Sequence, residues 1–347
     1  MKNDRVQTAA RNARGVAIVR RMLWAMVLVI TGIGLLPQSQ ARKEKKSAAA
    51  SSSRPHPLFS LSPKSYPFTF VAYGDTRFTD PADHQHTDPE RRRAIVNQIA
   101  ADKPDFVLIN GDIVYDGGDA NDWRVFDQES TPWRAAGIRV FPALGNHDVR
   151  GGAPALASYF ERFPEIREHR WYSLRYGNSL FLTLDSDVEH GPGSPQGDWL
   201  KAELDHVPND VDFVFLSMHH PPYTKSSEHF MGGGHTARPQ EQDLARMLEQ
   251  HQQALRAKII AIAGHVHNYE RYEHGGVEYI VSGGGGATPY MIDRGPDDFY
   301  KQNGATYHYC TFTVDRGKLT FAMHKLDMVE GQPVWSVGDK FELSAGK

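Results

Sequence analysis

Five short polar clusters each stand where an apolar run of the sequence ends, and this arrangement constrains the fold more than any other feature. They are Gly74-Asp75-Thr76-Arg77, Gly111-Asp112-Ile113-Val114-Tyr115, Gly145-Asn146-His147-Asp148, His219-His220-Pro221-Pro222-Tyr223 and Gly264-His265-Val266-His267. The apolar runs before them are short and often β-branched, as in buried strands. Because ligands bind beyond the carboxyl ends of strands in α/β sheets, we expect the clusters to meet. Their Asp, Asn, His and Tyr side chains suit a two-metal hydrolytic site.

Strand and helix patterns alternate along most of the chain after residue 65. Buried strands are predicted at 68–73, 106–109, 138–141, 213–217 and 259–263, and further strands at 181–184, 277–282, 307–314 and 319–325. Helices are predicted at 122–136, 196–204 and 240–253, and one begins at Asp88-Pro89. Helices do not separate all of the strands. The pattern therefore predicts an α/β fold in which two mixed β-sheets pack together with helices outside, a four-layer αββα sandwich.

The first 41 residues have the composition of an export signal. Basic residues dominate residues 1–21, an apolar stretch covers residues 22–36, and Ser39-Gln40-Ala41 resembles a cleavage site. The apolar stretch is short against the roughly 20 residues that span a bilayer, so we favour cleavage after Ala41 over an uncleaved membrane anchor. Arg20-Arg21 is compatible with a twin-arginine signal. These features predict a secreted or periplasmic protein without a stable membrane span.

Composition limits the partners of the chain. Residues 42–64 are rich in Ala, Ser, Lys and Pro and predict a flexible linker, which leaves residues 65–347 as the folded domain. The formal net charge is −3, and it would become −8 without residues 1–41, which hold six basic residues and one acidic residue. We therefore expect no nucleic-acid binding beyond nucleotide substrates. The single cysteine, Cys310, excludes an intramolecular disulfide and a Cys-based zinc site.

The order of the clusters resembles that of the calcineurin-like metallophosphoesterases, and within them the purple acid phosphatases. The family's order is D-x-[HG], GDxx[HY], GN[HD][DE], a late His and GHxH, and all five motifs have counterparts among the clusters above. Tyr115 stands three residues after Asp112, and the last motif continues as Asn268-Tyr269-Glu270-Arg271, as in the purple acid phosphatase branch. The resemblance covers about residues 68–290. It implies the metallophosphoesterase fold for a catalytic domain at 65–347.

The resemblance implies two metal ions held by seven residues. The first ion would be bound by Asp75, Tyr115 and His267, the second by Asn146, His219 and His265, and Asp112 would bridge both. Carboxylate and phenolate suit Fe3+, whereas imidazole and amide oxygen suit a divalent ion such as Fe2+, Zn2+ or Mn2+. Two ions about 3.5–4 Å apart clamp a phosphoryl group, and a metal-bound hydroxide would then attack phosphorus.

Further residues receive roles at the substrate. His147 is expected to protonate the leaving group, and Asp148 to orient the His147 ring, the alternative being that Asp148 only caps its loop. Residues 223–234 resemble the family's loop that carries a His-His pair over the substrate. His229 is therefore expected to contact phosphate or the leaving group, although Glu228 replaces the first His and a carboxylate repels phosphate.

Arg77 departs from the family's pattern, which has His or Gly at that position. A guanidinium does not bind metal but can clamp phosphate through two donors, so we predict that Arg77 contacts the substrate phosphate. The alternative is a structural ion pair with a nearby carboxylate. Gly283-Gly284-Gly285-Gly286 lacks the Lys-Ser/Thr of a nucleotide P-loop and is interpreted as close backbone packing near the metals.

These features imply an exported dinuclear-metal phosphoesterase that hydrolyses phosphate monoesters of small substrates, similar to an acid phosphatase. A phosphodiesterase acting on nucleotides or phospholipid headgroups would share the fold and the metals, and the sequence does not separate the two. An alternative of another class is a non-catalytic cell-surface binding protein with a relic metal site. The residue types that the family requires stand at all seven ligand positions and at position 147, which argues against that alternative.

The phenolate of Tyr115 gives an optical prediction. Fe3+ bound to tyrosinate absorbs visible light, so the iron-loaded protein should be coloured, and Tyr115→Phe should abolish the visible band. Absorption spectra of the two proteins at equal iron content check this. An active, colourless protein that holds only Mn or Zn would contradict the ferric assignment while leaving the hydrolase intact.

Overall fold

The structure is a computed structural model that describes residues 58–226 and 235–346. The predicted signal peptide at 1–41, the predicted linker up to residue 57, and Glu228 and His229 lie outside the described residues. Within those described ranges, no helix is long and apolar enough to cross a membrane.

Thirteen strands occur in the described part of the chain, and they form two sheets. They are β1 (Phe59–Leu61), β2 (Phe68–Tyr73), β3 (Phe106–Asn110), β4 (Arg139–Ala143), β5 (Tyr172–Tyr176), β6 (Ser179–Thr183), β7 (Phe213–Met218), β8 (Lys258–Ala263), β9 (Tyr269–His274), β10 (Val277–Ser282), β11 (Tyr307–Asp315), β12 (Lys318–Val329) and β13 (Gln332–Ser344). The seven-stranded sheet has the order β1-β5-β6-β7-β8-β10-β9, and the six-stranded sheet has the order β13-β12-β11-β2-β3-β4. Both sheets contain parallel and antiparallel pairs.

The described helices begin where the sequence supplies caps and prolines. They are α1 (Pro89–Asp102), α2 (Ala120–Glu129), α3 (Thr131–Ala135), α4 (Ala153–Arg162), α5 (Pro195–Asp205) and α6 (Pro239–Ala254), with a short 3-10 turn at Pro164–Ile166. The Asp88 side chain accepts a hydrogen bond from the Arg91 N–H and starts α1 as predicted. The helix predicted at 122–136 is two helices, because Pro132 has no N–H to continue the hydrogen-bond ladder past Ser130.

Aromatic rings fill the space between the two sheets. Phe70 of β2 stacks on Phe106 of β3 and Phe312 of β11, with ring centroids 5.2 and 4.8 Å away. Its edge meets Phe181 and Phe215 of the other sheet at 5.0 and 4.9 Å. Such edge-to-face pairs join the sheets over a dry core.

Helices cover the outer faces of both sheets. α6 lies against β8 and β10 of the seven-stranded sheet, and α1 lies against β11 and β12 of the six-stranded sheet. Leu200 of α5 and Leu248 of α6 are buried in one cluster with Leu216 of β7. The predicted αββα order of layers is confirmed.

The parallel strands carry the five clusters to one edge. β2, β3 and β4 are parallel neighbours in one sheet, and β7 and β8 are parallel neighbours in the other. The seam between the sheets is closed by hydrogen bonds from Gly74 N to Ser282 O (2.7 Å) and from Ser217 Oγ to Asn110 Oδ1 (2.8 Å). Residues far apart in sequence therefore meet across this seam.

Some elements depart from the sequence prediction. The predicted linker at 42–64 extends too far, because Phe59–Leu61 forms β1 and the Phe59 ring packs 5.4 Å from that of Phe141. β5, β9, β13 and α4 were not predicted. β9 and β13 are sheet edges, and β9 mixes charged and aromatic residues rather than forming an apolar run.

Candidate metal centre

Asp75 follows β2 and is fully buried at the seam. Its backbone has φ +58°, a left-handed conformation held by hydrogen bonds from its own N–H to Gly111 O and from Ala287 N to its carbonyl. One carboxylate oxygen, Oδ2, accepts from His265 N at 2.7 Å. The other, Oδ1, has no hydrogen-bond partner among the described residues and lies 3.5 Å from His267 Nε2. Burial raises the pKa of Asp75 to about 8, and the neighbouring Asp112 acts in the same direction.

Asp112 follows β3 and lies between the two sets of predicted ligands. Its Oδ1 accepts from His147 N at 2.9 Å and lies 3.3 Å from His219 Nε2. Its Oδ2 lies 3.2 Å from a guanidinium nitrogen of Arg77. Burial alone would raise the pKa of Asp112, but His219, His147 and Arg77 outweigh burial and hold it well below the usual range. This central position agrees with the predicted bridging role of Asp112, which stays a prediction.

One ring nitrogen of His219, Nε2, faces Asn146 and His265, the other predicted ligands of the second ion. Its Nδ1 is hydrogen-bonded to Asn110 O at 3.0 Å, which turns Nε2 toward the site. That Nε2 lies 3.0 Å from Asn146 Oδ1 and 3.2 Å from His265 Nδ1. Imidazole and amide oxygen thus converge at the end of β7, as predicted for the second ion.

The ring of His267 is oriented in the same manner, beside Asp75 of the first predicted ligand set. Its Nδ1 is hydrogen-bonded to Thr288 O at 2.8 Å, so Nε2 is the nitrogen that faces Asp75. Burial lowers the pKa of His267 well below its usual value, and Arg77 adds to the effect. The ring is therefore neutral, which is the form that binds a metal.

The donor set fits a pair of metal ions. Ligand atoms of Asp75, Asp112 and His219 all lie within 4.8 Å of one another and are buried. Two carboxylates buried side by side are costly without cations, and the buried Asp75 Oδ1, which has no hydrogen-bond partner among the described residues, has lone pairs that an ion would use. Six of the seven predicted ligands are brought together: Asp75, Asp112, Asn146, His219, His265 and His267.

Tyr115 stands at the border of this group. The residue is half-buried, and its ring lies 5.3 Å from that of His147 and 4.7 Å from that of His86. The Arg77 guanidinium lies 6.0 Å from the centre of the same ring. The position is compatible with a ligand to the first ion, and that role stays a prediction.

Asp148 does not orient the His147 ring, and that prediction is wrong. Its Oδ1 accepts from the backbone N–H groups of Ile113 (2.9 Å) and Val114 (3.2 Å), and its Oδ2 from Gly145 N (2.9 Å). The loop-bracing alternative is the correct one. His147 Nδ1 instead donates to the carbonyl oxygen of Tyr115 at 2.5 Å.

Two glycines permit the close approach of these loops. A Cβ on Gly145 would stand 2.2 Å from Asp112 N, and one on Gly283 would stand 2.8 Å from Asp75 Oδ2. Gly285 N donates to Gly74 O at 3.0 Å. The interpretation of Gly283–Gly286 as close backbone packing near the metals is confirmed.

Arg77 takes the ion-pair geometry that the sequence left as the alternative. Its guanidinium donates to Asp112 Oδ2, while Arg92 donates to its carbonyl oxygen at 3.0 Å. Its Nε has no hydrogen-bond partner among the described residues. Contact with the substrate phosphate stays a prediction.

Sequence analysis assigned no role to three residues that the structure places at the site. The buried His220 lies 4.3 Å from His265 between ring centres and is hydrogen-bonded to Ser186 Oγ through Nδ1. Tyr290 and His235 stack on ligands of the centre, at 4.1 Å from His267 and 4.7 Å from His265. Closeness in sequence to His219 was the signal for His220 and His235, and nothing in the sequence marked Tyr290.

Comparison with known proteins agrees with this geometry. Residues 68–269 match the model of the calcineurin-like phosphoesterase family. Purple acid phosphatase 23 of Arabidopsis thaliana is 26% identical over 235 residues, which cover 55% of this chain and 48% of the relative. A nucleotide pyrophosphatase/phosphodiesterase of Hordeum vulgare is 27% identical, with 54% and 58% covered. The Fe(3+)-Zn(2+) purple acid phosphatase 12 of Arabidopsis thaliana is 25% identical, with 62% and 46% covered. The chain spans about half the length of these relatives.

Solved structures share the fold. The purple acid phosphatase PPD1 from yellow lupin aligns with a TM-score of 0.67 at 20% identity, covering 84% of this chain and 55% of the lupin chain. A dimetal phosphatase from Danio rerio aligns with a TM-score of 0.54 at 16% identity, covering 80% and 99%. The metallophosphoesterase fold and the resemblance to purple acid phosphatases are confirmed, and the relatives support a hydrolase of phosphoric esters.

Asp148→Asn tests the bracing role of this carboxylate. The amide group would leave at least one of the three backbone N–H donors facing an N–H donor. We expect a loss of about 1–3 kcal/mol in the free energy of unfolding of the metal-free protein. Metal binding should weaken as well, because the braced loops carry Asp112 and Asn146. Urea unfolding and metal titration measure the two effects.

Asp198→Asn is the matched control. Asp198 is exposed and accepts from Gly193 N at 3.1 Å, so this variant should leave the urea midpoint and the metal affinity unchanged. If Asp148→Asn kept full stability but altered the pH profile of turnover, the ring-orienting role would be restored.

Proposed function

Because the chain belongs to the calcineurin-like phosphoesterase family, we propose that it is an exported, dinuclear-metal phosphoesterase that hydrolyses phosphate monoesters. The observation that carries the proposal is the convergence of carboxylate, amide and imidazole ligands around Asp112 at the seam of the two sheets. Export is supported by the composition of residues 1–41. The substrate would be a small phosphorylated molecule.

The residues divide into two ligand sets. Asp75, His267 and Tyr115 would hold one ion, and Asn146, His219 and His265 the other, with Asp112 shared. The bound pair would supply an activated water as nucleophile and offset the charge on the phosphoryl oxygens. Carboxylate and phenolate in the first set favour Fe3+, and a relative named Fe(3+)-Zn(2+) purple acid phosphatase supports Fe3+ with Zn2+, Fe2+ or Mn2+ as the second ion.

His147 is suited to the leaving-group side of the site. The Tyr115 carbonyl oxygen fixes Nδ1, so the ring presents Nε2 toward Asp112 Oδ2 at 3.8 Å and toward Arg150 at 2.8 Å. A leaving-group oxygen beside the bridging carboxylate would be within reach of that nitrogen. Burial lowers the pKa of His147 to about 4, and Nε2 of the neutral ring accepts from Arg150. We assign His147 the transfer of a proton to this oxygen at acidic pH, after Nε2 has taken up a proton from solvent, and His229 a contact with phosphate or the leaving group.

Positive charge beside the ligands favours a monoester. Arg77 and Arg150 lie near the Tyr115 ring at 6.0 and 5.7 Å, next to the position that a phosphoryl group would occupy. A monoester dianion carries more charge than a diester and gains more from such neighbours. The second candidate is a phosphodiesterase, which the similarity to the barley nucleotide pyrophosphatase/phosphodiesterase favours.

A substrate comparison with chelation tests the function. The protein loaded with iron and zinc, or with manganese, should hydrolyse p-nitrophenyl phosphate faster than bis(p-nitrophenyl) phosphate. A chelator should abolish turnover and added metal should restore it, while Asp112→Asn should lower kcat by at least about 100-fold through loss of the bridge. Faster diester hydrolysis would select the phosphodiesterase. Absence of turnover with two ions bound would favour the relic-site alternative.

Arg77→Ala tests the predicted phosphate contact. Bound metal ions would replace Arg77 as the charge partners of Asp112, so metal content should stay at that of the wild type. Without its two donors, the KM for the monoester should rise several-fold, roughly fivefold or more. Steady-state kinetics and metal analysis are the measurements, with Arg124→Ala on the exposed face of α2 as the control. If KM were unchanged, or if metal were lost, the structural ion pair with Asp112 would be the only role left for Arg77.

A further inference from the structure

A third histidine stands among the predicted ligands of the second ion. His220 is buried and comes directly after His219, beyond the end of β7. One ring nitrogen each of His219, His220 and His265 lies within 4.8 Å of the other two, and all three residues are buried. The centre of the His220 ring lies 4.3 Å from that of His265 and 5.0 Å from that of His219. Three imidazoles therefore share one small volume at the site.

The spacing of these nitrogens suits a single ion. Zinc–nitrogen bonds are about 2.0–2.1 Å long, so two imidazole nitrogens on a tetrahedral ion stand roughly 3.3 Å apart. His219 Nε2 and His265 Nδ1 lie 3.2 Å apart, which matches this separation. A nitrogen of His220 within 4.8 Å of both rings would reach the same separation by a small rotation of its side chain.

Ser186 holds the His220 ring from the opposite side. The Ser186 hydroxyl oxygen accepts from the backbone N–H of His220 at 3.0 Å and lies 2.8 Å from its Nδ1. When Nδ1–H donates to this oxygen, the lone pair of Nε2 is left for a metal. Metal-binding histidines usually donate their other ring N–H to such a partner. His219 is held in a similar way through Asn110 O, so the two adjacent rings share one kind of support.

The oxygen ligands complete a donor set around the same point. Asn146 Oδ1 lies 3.0 Å and Asp112 Oδ1 lies 3.3 Å from His219 Nε2. Together with His220 and His265, these groups would offer three imidazole nitrogens and two oxygens to one ion. Burial of an imidazole is costly unless its polar atoms find partners, and a metal ion would be such a partner for Nε2.

We propose that His220 is a third imidazole ligand of the second ion and that it biases this position toward Zn2+ rather than Mn2+. The inference rests on the proposed function, because it requires the metal pair. Imidazole ligands suit Zn2+, whereas carboxylate and carbonyl oxygens suit Mn2+. A third nitrogen therefore favours zinc more than manganese. His220 would in this way determine which divalent ion the centre holds.

His220→Ala tests this role by metal binding alone. The probes are Zn2+ and Mn2+, each added to the metal-free protein in competition with a coloured chelator, which gives the affinities of two equivalents. For one equivalent the Zn2+ affinity should fall by at least about 100-fold, which is the upper end of the effect of an outer partner. The Mn2+ affinity should fall less than about tenfold. The ligand-field bands of bound Co2+ should change as well, because one nitrogen ligand is lost.

His324→Ala is the matched control. The His324 ring is also bonded to a hydroxyl, with Nε2 2.9 Å from Thr311 Oγ1, but it lies on β12 beside Tyr309. This variant should leave both metal affinities unchanged.

Ser186→Ala provides a second test should His220→Ala fail to fold. It keeps every ligand but removes the hydroxyl that holds the His220 ring. Its Zn2+ affinity should fall about tenfold, as is usual when the outer partner of a metal-binding histidine is lost. An unchanged Zn2+ affinity in this variant would contradict the proposal.

Three results of the titrations would overturn the inference. An unchanged Zn2+ affinity of His220→Ala with a lower urea midpoint would make His220 structural. Equal losses for Zn2+ and Mn2+ would remove the bias between the ions, and an unchanged Co2+ spectrum would exclude a lost ligand. If the wild type itself bound no Zn2+, the proposed function would fail too, whereas tight binding by wild type and His220→Ala alike would overturn only the role of His220.

Discussion

The burial of two carboxylates side by side is the constraint on which the site depends. Asp75 and Asp112 are fully buried at the seam between the sheets, where ionised groups are costly unless cations compensate them. Arg77 compensates Asp112, but Asp75 Oδ1 has no hydrogen-bond partner among the described residues. The His267 ring, whose pKa is lowered by burial, does not supply the missing charge. A pair of metal ions would complete this cluster, so metal binding and local stability are linked.

The backbone accepts strain to place these groups. Asp75, Asp112 and His265 all have positive φ, a conformation that costs of order 1–3 kcal/mol for such residues. Each is held by contacts from another strand end, as when Asp75 Oδ2 accepts from His265 N and Asp148 accepts from Ile113 N. At the site this strain lies at the edge where the parallel strands end, whereas other residues with positive φ, such as Lys103 and Arg316, lie elsewhere in the fold. The aromatic core behind that edge provides the rigid support.

The layers, and most of the residues that meet at the site, could be predicted from the sequence because both depend on local patterns. Buried strands read as apolar runs, and ligands follow them directly. Asp148 was misassigned because its partners, Ile113 and Val114, lie some 35 residues away, whereas His147 is adjacent in sequence. Tyr290 was missed because only the tertiary position of its loop brings it to His267. Edge strands such as β13 were not predicted, because their residues are largely exposed and do not form an apolar run.

The residues at the centre are of two kinds, those at the ends of strands and those on loops. The ends of strands carry most of the predicted ligands. The pairing of the two sheets therefore sets the positions of these residues, which can hardly move independently of one another. Arg77 and Tyr290 lie on loops, where Arg77 is paired with Asp112 and the Tyr290 ring stacks on His267. Replacing them would remove these contacts while leaving the pairing of the strands intact.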